Sequence, residues 1–225
     1  MRVIPASPKV IRHLAGCKGP FAYRGKIFQD GGAGAPSIWL ASLVSSPTVA
    51  TPKFMPKPHD IFAHLPPPVA DQLFSYLIER EKPLYKATID TLAKQRKLRP
   101  IFVERKPRAE RHAWMRDVLG RKINESVAAH LLQIWLVGAH AKLLCDFLDG
   151  LGIKHDENGT IEALPPAPSK EDLTTSIDAL FAKHEPAVVV VYLHAFQALD
   201  ENGWPTLAEL LVEDPRLQLA APAAA

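Results

Sequence analysis

The sequence predicts an all-α fold, a compact bundle of about six or seven helices preceded by a largely unstructured N-terminal segment. Three observations carry this expectation. From Pro66 onward apolar residues recur at three- and four-residue steps. Successive stretches are bounded by start and stop signals, among them Pro83, Arg99-Pro100 and Glu185-Pro186. The one strong hairpin signal is Asn158-Gly159, between Ile153 and Ile161, where a tight turn needs positive φ.

The elements follow in order. Val69, Leu73, Tyr76 and Leu77 form the first helical stripe, which Pro83 ends as it opens the next helix, with Tyr85, Ile89, Leu92 and Ala93 on one face. Lys94, Arg96 and Lys97 suit the negative end of that helix dipole. Arg99-Pro100 breaks the chain, Ile101-Phe102-Val103 reads as a short extended connector, and a third helix covers Arg108 to Leu119. Asn124 is placed to cap a strongly apolar region from Val127 to Leu148, bent or divided at Gly138. Ser169 with Asp172 starts a helix whose stripe is Leu173, Ile177, Leu180 and Phe181. The β-branched run Val188 to Val191 follows Pro186 and has no partner strands, so it is read as a buried helix. A last helix covers Thr206 to Val212. A hairpin-like loop is expected at Asn158-Gly159.

Three regions are distinguished: residues 1–54 as a basic, low-order leader or a mis-assigned start, 55–219 as the helical domain, and 220–225 as a disordered tail. The first region holds six prolines and a single acidic residue, Asp30, and lacks helical or strand periodicity. The longest apolar runs, Ser37 to Val44 and Pro186 to Leu193, fall well short of the roughly 20 residues that cross a bilayer, so no membrane partner is expected. Two cysteines and no glycine period exclude a disulfide-stapled miniprotein and a collagen-like fibre. Neither cysteine points to an oxidising compartment, and a cytoplasmic location is expected.

Charge is unevenly spread. Residues 1–54 carry seven basic groups and one acidic (+6), 55–93 four and five (−1), 94–122 eleven and three (+8), and 123–225 five and fifteen (−10). The +8 segment includes Arg96, Lys97, Arg99, Arg105, Lys106, Arg108, Arg111 and Arg116, with Phe102 and Trp114 interleaved. Cations suited to phosphate or carboxylate contacts, with Trp114 near enough to stack, point to an acidic partner, protein or nucleic acid. The competing expectation is that the acidic C-terminal part folds against these cations and neutralises them.

Other motifs carry less. Gly32-Ala33-Gly34 lacks the Lys-Ser/Thr ending of a phosphate loop. Lys154 to Ile161 resembles the middle of a calcium loop, but Lys154 and Pro165 occupy the first and twelfth ligand positions. No two of the nine histidines stand four apart on a helix. No cofactor is expected, and no catalytic constellation is evident. The sequence therefore points to a non-enzymatic binding or regulatory module acting through its basic connector. The alternative is a helical metal-dependent hydrolase with a tertiary cluster of His130, His140, Asp146, His155 and His194.

Overall fold

The computed structural model describes residues 56–157, 159, 161, 165–199 and 203–219. The leader, the tail and Asn158 lie outside them. The described residues form ten α-helices and no strands: α1 (Pro58–His64), α2 (Pro67–Arg80), α3 (Lys82–Gln95), α4 (Pro100–Glu104), α5 (Arg108–Leu119), α6 (Glu125–Ala139), α7 (Ala141–Gly150), α8 (Lys170–Lys183), α9 (Pro186–Leu199) and α10 (Pro205–Glu213).

Proline sets much of this segmentation. It occupies the first or second position of α1, α2, α3, α4, α9 and α10, where a missing N–H costs nothing and a fixed φ suits the first turn. Ser169 caps α8 by accepting a hydrogen bond from the Asp172 N–H at 3.1 Å. The helical reading of Val188 to Val191 holds, and Val188, Val189 and Val191 are buried.

Two short helices account for most of the difference from the expected number. α1 was not anticipated. Seven residues cannot sustain a helix alone, and this one survives because Ile61 and Phe62 are fully buried where α1 packs on α5, α6 and α9. α4 replaces the expected extended connector: Arg99 is extended, Pro100 takes the first helical position, and Val103 plugs into the core at 1% exposure.

The helices divide into two groups. α2, α3 and α5 pack on one another with α4 against α3, while α6 to α10 form the second group. Contacts of α1 with α5, α6 and α9, and of α2 with α6, join them. An aromatic cluster centres the second group, with Phe147 and Tyr192 at 5.6 Å and Phe196 and Trp204 at 5.0 Å between ring centroids.

Asn124 does not cap α6. Its amide Nδ2 donates instead to the Val118 carbonyl at 2.7 Å, satisfying a last-turn acceptor of α5. The apolar region does divide near Gly138: α6 ends at Ala139, His140 leaves the helical range, and the two parts meet at 82°. No single described helix is long and apolar enough to cross a membrane, and Leu131, Leu132, Trp135, Leu143 and Phe147 of this bent pair are buried within the bundle. Of the expected hairpin-like loop at Asn158-Gly159, Asn158 and its flanking residues 160 and 162–164 lie outside the described residues. Gly159 has φ +72° and donates its N–H to the Asp156 carbonyl at 3.0 Å.

Gly138 lies against the end of the Tyr76 side chain. A Cβ there would stand 1.8 Å from the Tyr76 hydroxyl of α2. An alanine in a helix interior ordinarily stabilises by about 1 kcal/mol over glycine. Gly138→Ala is expected instead to destabilise by about 1–2 kcal/mol through overpacking. Urea denaturation checks this, with part of the loss recovered in a Tyr76→Phe background.

Candidate functional site

The basic segment runs from the last turn of α3 through α4 into α5. α3 ends in a paired closure, with the Leu98 N–H bonded to the Ala93 carbonyl at 2.8 Å and the Lys97 N–H to the Lys94 carbonyl at 3.0 Å. That closure places Lys97 at φ +55°, the only positive-φ residue other than glycine among those described. Glycine is the usual occupant, because a Cβ costs about 1 kcal/mol in the left-handed region.

Arg111 holds the connector from below. Its Nε donates to the Tyr85 hydroxyl at 2.8 Å and its Nη1 to the Glu104 carbonyl at 2.8 Å, with the Lys106 carbonyl at 3.5 Å. One planar fork thereby joins α3, the end of α4 and the start of α5. Burial raises the Tyr85 phenol above its ordinary value even though Arg111 opposes it. The ring stays neutral as an acceptor.

The nine partner-binding candidates separate by environment. Arg96, Lys97, Arg99 and Arg105 are exposed and, like Lys94, make no ion pair or side-chain hydrogen bond with the described residues. Lys106 pairs with Glu110 at 3.5 Å, one turn along the chain. Three others are occupied within the fold: Arg108 donates to the Ser75 hydroxyl, Arg111 forms the clamp, and Arg116 donates to the Leu65 carbonyl at 3.2 Å. Trp114 is half-buried against the core.

The described acids of the C-terminal half do not neutralise this segment. Among the described residues no ion pair joins 94–122 to 123–225; the acids pair locally instead. Glu125 faces Lys57 and His59, Asp146 faces Lys183 and His184, Glu213 faces Lys170, and Asp178 and Asp214 hold Arg216. Asp146 and Asp149, toward the C-terminal end of α7 where negative charge opposes the helix dipole, hydrogen-bond with His184 at 2.7 Å and with His155 at 3.1 Å.

Sequence reasoning left the apolar part of the surface out of the site. Leu98, Ile101 and Phe102 are 43, 45 and 57% exposed among these cations. Once Pro100 is read as a helix start with Val103 inward, Ile101 and Phe102 must face outward.

The alternative metal ligands are dispersed. His130 is exposed on α6, and His140 stands edge-on to the Trp135 ring at 4.7 Å. Asp146 pairs with His184 as described, and His194 Nε2 donates to the Leu217 carbonyl at 2.8 Å. His155 lies between Asp149 and the Asp156 carbonyl, whose bonds to it raise its pKa. No group of three or more His, Cys, Asp or Glu among the described residues is placed to hold a metal ion.

Two outcomes follow. Lys97→Gly relieves the left-handed Cβ, and a gain of about 1 kcal/mol is expected by chemical denaturation. Burial lowers the pKa of His112, His140 and His194, against opposing effects of Asp71, Glu185 and the Leu217 carbonyl respectively. The unfolded chain therefore takes up protons first, near the ordinary imidazole value of about 6.5. Stability contributed by these groups is complete above that value and falls as pH drops through the window below it. Thermal melts between about pH 7 and pH 5 should show a declining melting temperature, with a shallower decline in His194→Gln, whose amide can still reach the Leu217 carbonyl.

No family model, curated protein or solved structure matches this chain.

Proposed function

We propose that the chain is a binding module that recognises an acidic partner through the surface from Lys94 to Lys106. The observation that carries this reading is the set of cations Lys94, Arg96, Lys97, Arg99 and Arg105, unpaired among the described residues, while described acids of the C-terminal half such as Asp146, Asp178 and Glu213 find partners nearby. Like charges gathered within a dozen residues repel one another and are relieved by an anionic ligand. The Arg111 clamp supports the reading from another side, because it holds the cation-bearing turn to the bundle and reduces the ordering cost of binding.

Charge alone fits either a protein or a nucleic acid. In both cases the free cations supply encounter rate and salt sensitivity, and Arg108, Arg111 and Arg116 keep the surface in shape. Lys97 adds a further argument: a residue other than glycine at positive φ keeps a cation where the backbone alone would prefer none.

The test is fluorescence anisotropy with two anionic probes, a single-stranded oligonucleotide and polyglutamate, from about 50 to about 200 mM salt. Five phosphate contacts predict a slope of about −3.5 for log affinity against log salt with the oligonucleotide. Arg96→Glu with Arg99→Glu should make that slope shallower and weaken binding by more than about tenfold. Absence of salt-sensitive binding to these two probes and to anionic lipid vesicles alike overturns the reading.

A further inference from the structure

We infer that the acidic partner of this surface is an anionic lipid bilayer, on which the α3–α4 turn docks by placing Leu98, Ile101 and Phe102 among the lipid headgroups, with the lysines and arginines that flank them in the chain reaching the phosphates. This rests on the charge-based reading above and deepens it by naming the ligand class.

The composition of the surface carries the argument. Among the described residues five large apolar side chains are exposed, and three of them, Leu98, Ile101 and Phe102, lie within five positions of one another. Lys94, Arg96, Lys97, Arg99 and Arg105 flank them without ion-pair partners among the described residues. Aliphatic and aromatic side chains bordered by long cationic ones are the combination that an anionic interface accepts. The apolar groups enter the headgroup boundary, while lysine and arginine stems reach back to the phosphates.

Placement agrees with composition. α4 packs chiefly on α3, at the margin of the bundle, with Val103 inserted into the core and Ile101 and Phe102 turned away from it. The Arg111 hydrogen bonds to the Glu104 and Lys106 carbonyls fix the far side of the turn. The apolar trio is therefore presented from a held backbone.

Other occupants fit less well. A single-stranded nucleic acid is read by stacked aromatic rings. Among the described residues Phe102 is the one exposed aromatic ring of this surface, Trp114 is packed on the core, and Leu98 and Ile101 have no π-face. The chain's own residues 1–54 carry +6 and would be repelled by the same cations. No membrane-crossing segment is invoked. The contact is made by one turn at the surface.

Co-sedimentation of the full chain with phosphatidylcholine vesicles carrying roughly 30% phosphatidylserine tests this. Pure phosphatidylcholine vesicles, the oligonucleotide and polyglutamate serve as comparison probes. Binding to the serine-containing vesicles is expected to be at least about tenfold tighter than to neutral ones and to weaken about fivefold for each cation removed. The double change Ile101→Ser with Phe102→Ser should cost about tenfold on vesicles and leave oligonucleotide binding unaltered. Both side chains are exposed, so its melting temperature should match that of the parent. Val212→Ser provides the control, because Val212 is 55% exposed but neighbours Glu209 and Glu213, and it should bind vesicles as the parent does.

Vesicle binding that ignores the Ile101/Phe102 change overturns the inference. So does absent vesicle binding beside salt-sensitive binding of the oligonucleotide or polyglutamate, which would leave the charge-based reading standing and assign the surface to a nucleic acid or an acidic protein. Failure to bind every probe overturns both readings.

Discussion

The apolar seating of α1 is the contact on which the rest of the molecule depends. Ile61 and Phe62 lose all contact with water where this two-turn helix meets α5, α6 and α9, and burial of two such side chains is worth about 3–6 kcal/mol. Around it the chain has two helical groups, one basic and one acidic at the level of sequence. Both groups bury their apolar stripes in one shared core. Their charges are consequently left to the outer faces, where water screens them.

That arrangement explains why two segments of opposite sign do not neutralise each other. Exposed ion pairs contribute only about 0–1 kcal/mol each, too little to reorganise helices that are already packed on hydrophobic contacts. The acids of α7, α8 and α10 accordingly take nearby partners such as His184, Lys170 and Arg216. The cations of the α3–α4 turn have no such neighbours, because α4 touches little besides α3. Their mutual repulsion is tolerable at physiological ionic strength, where fields fade over roughly 8 Å.

The longer helices were legible because their signals were local and redundant. In α3 the buried positions Tyr85, Ile89, Leu92 and Ala93 repeat at helical spacing and Pro83 marks the start. In α8 the Ser169 cap and the Leu173, Ile177 and Leu180 stripe agree. α1 and α4 were missed for the opposite reason. Neither is long enough to show a period, and each is helical only through what it packs against. The candidate site was half legible. Its cations could be counted along the chain, but the internal duties of Arg108, Arg111 and Arg116 depend on Ser75, Tyr85 and Leu65, which stand far away in sequence. Leu98, Ile101 and Phe102 were hidden by reading α4 as extended. In a connector of unknown geometry, no rule says which side chains face outward.

The Arg111 fork also sets which substitutions this surface can accumulate. At positions 94, 96, 97, 99 and 105 a lysine and an arginine present the same charge to solvent, so either type can drift in without disturbing the backbone. Position 111 is different, because an ammonium group can reach one acceptor well but cannot span Tyr85 and the Glu104 carbonyl in a single plane. Relatives of this chain that keep the α3–α4 turn should therefore vary freely between the two basic residues on its rim and retain arginine at its root.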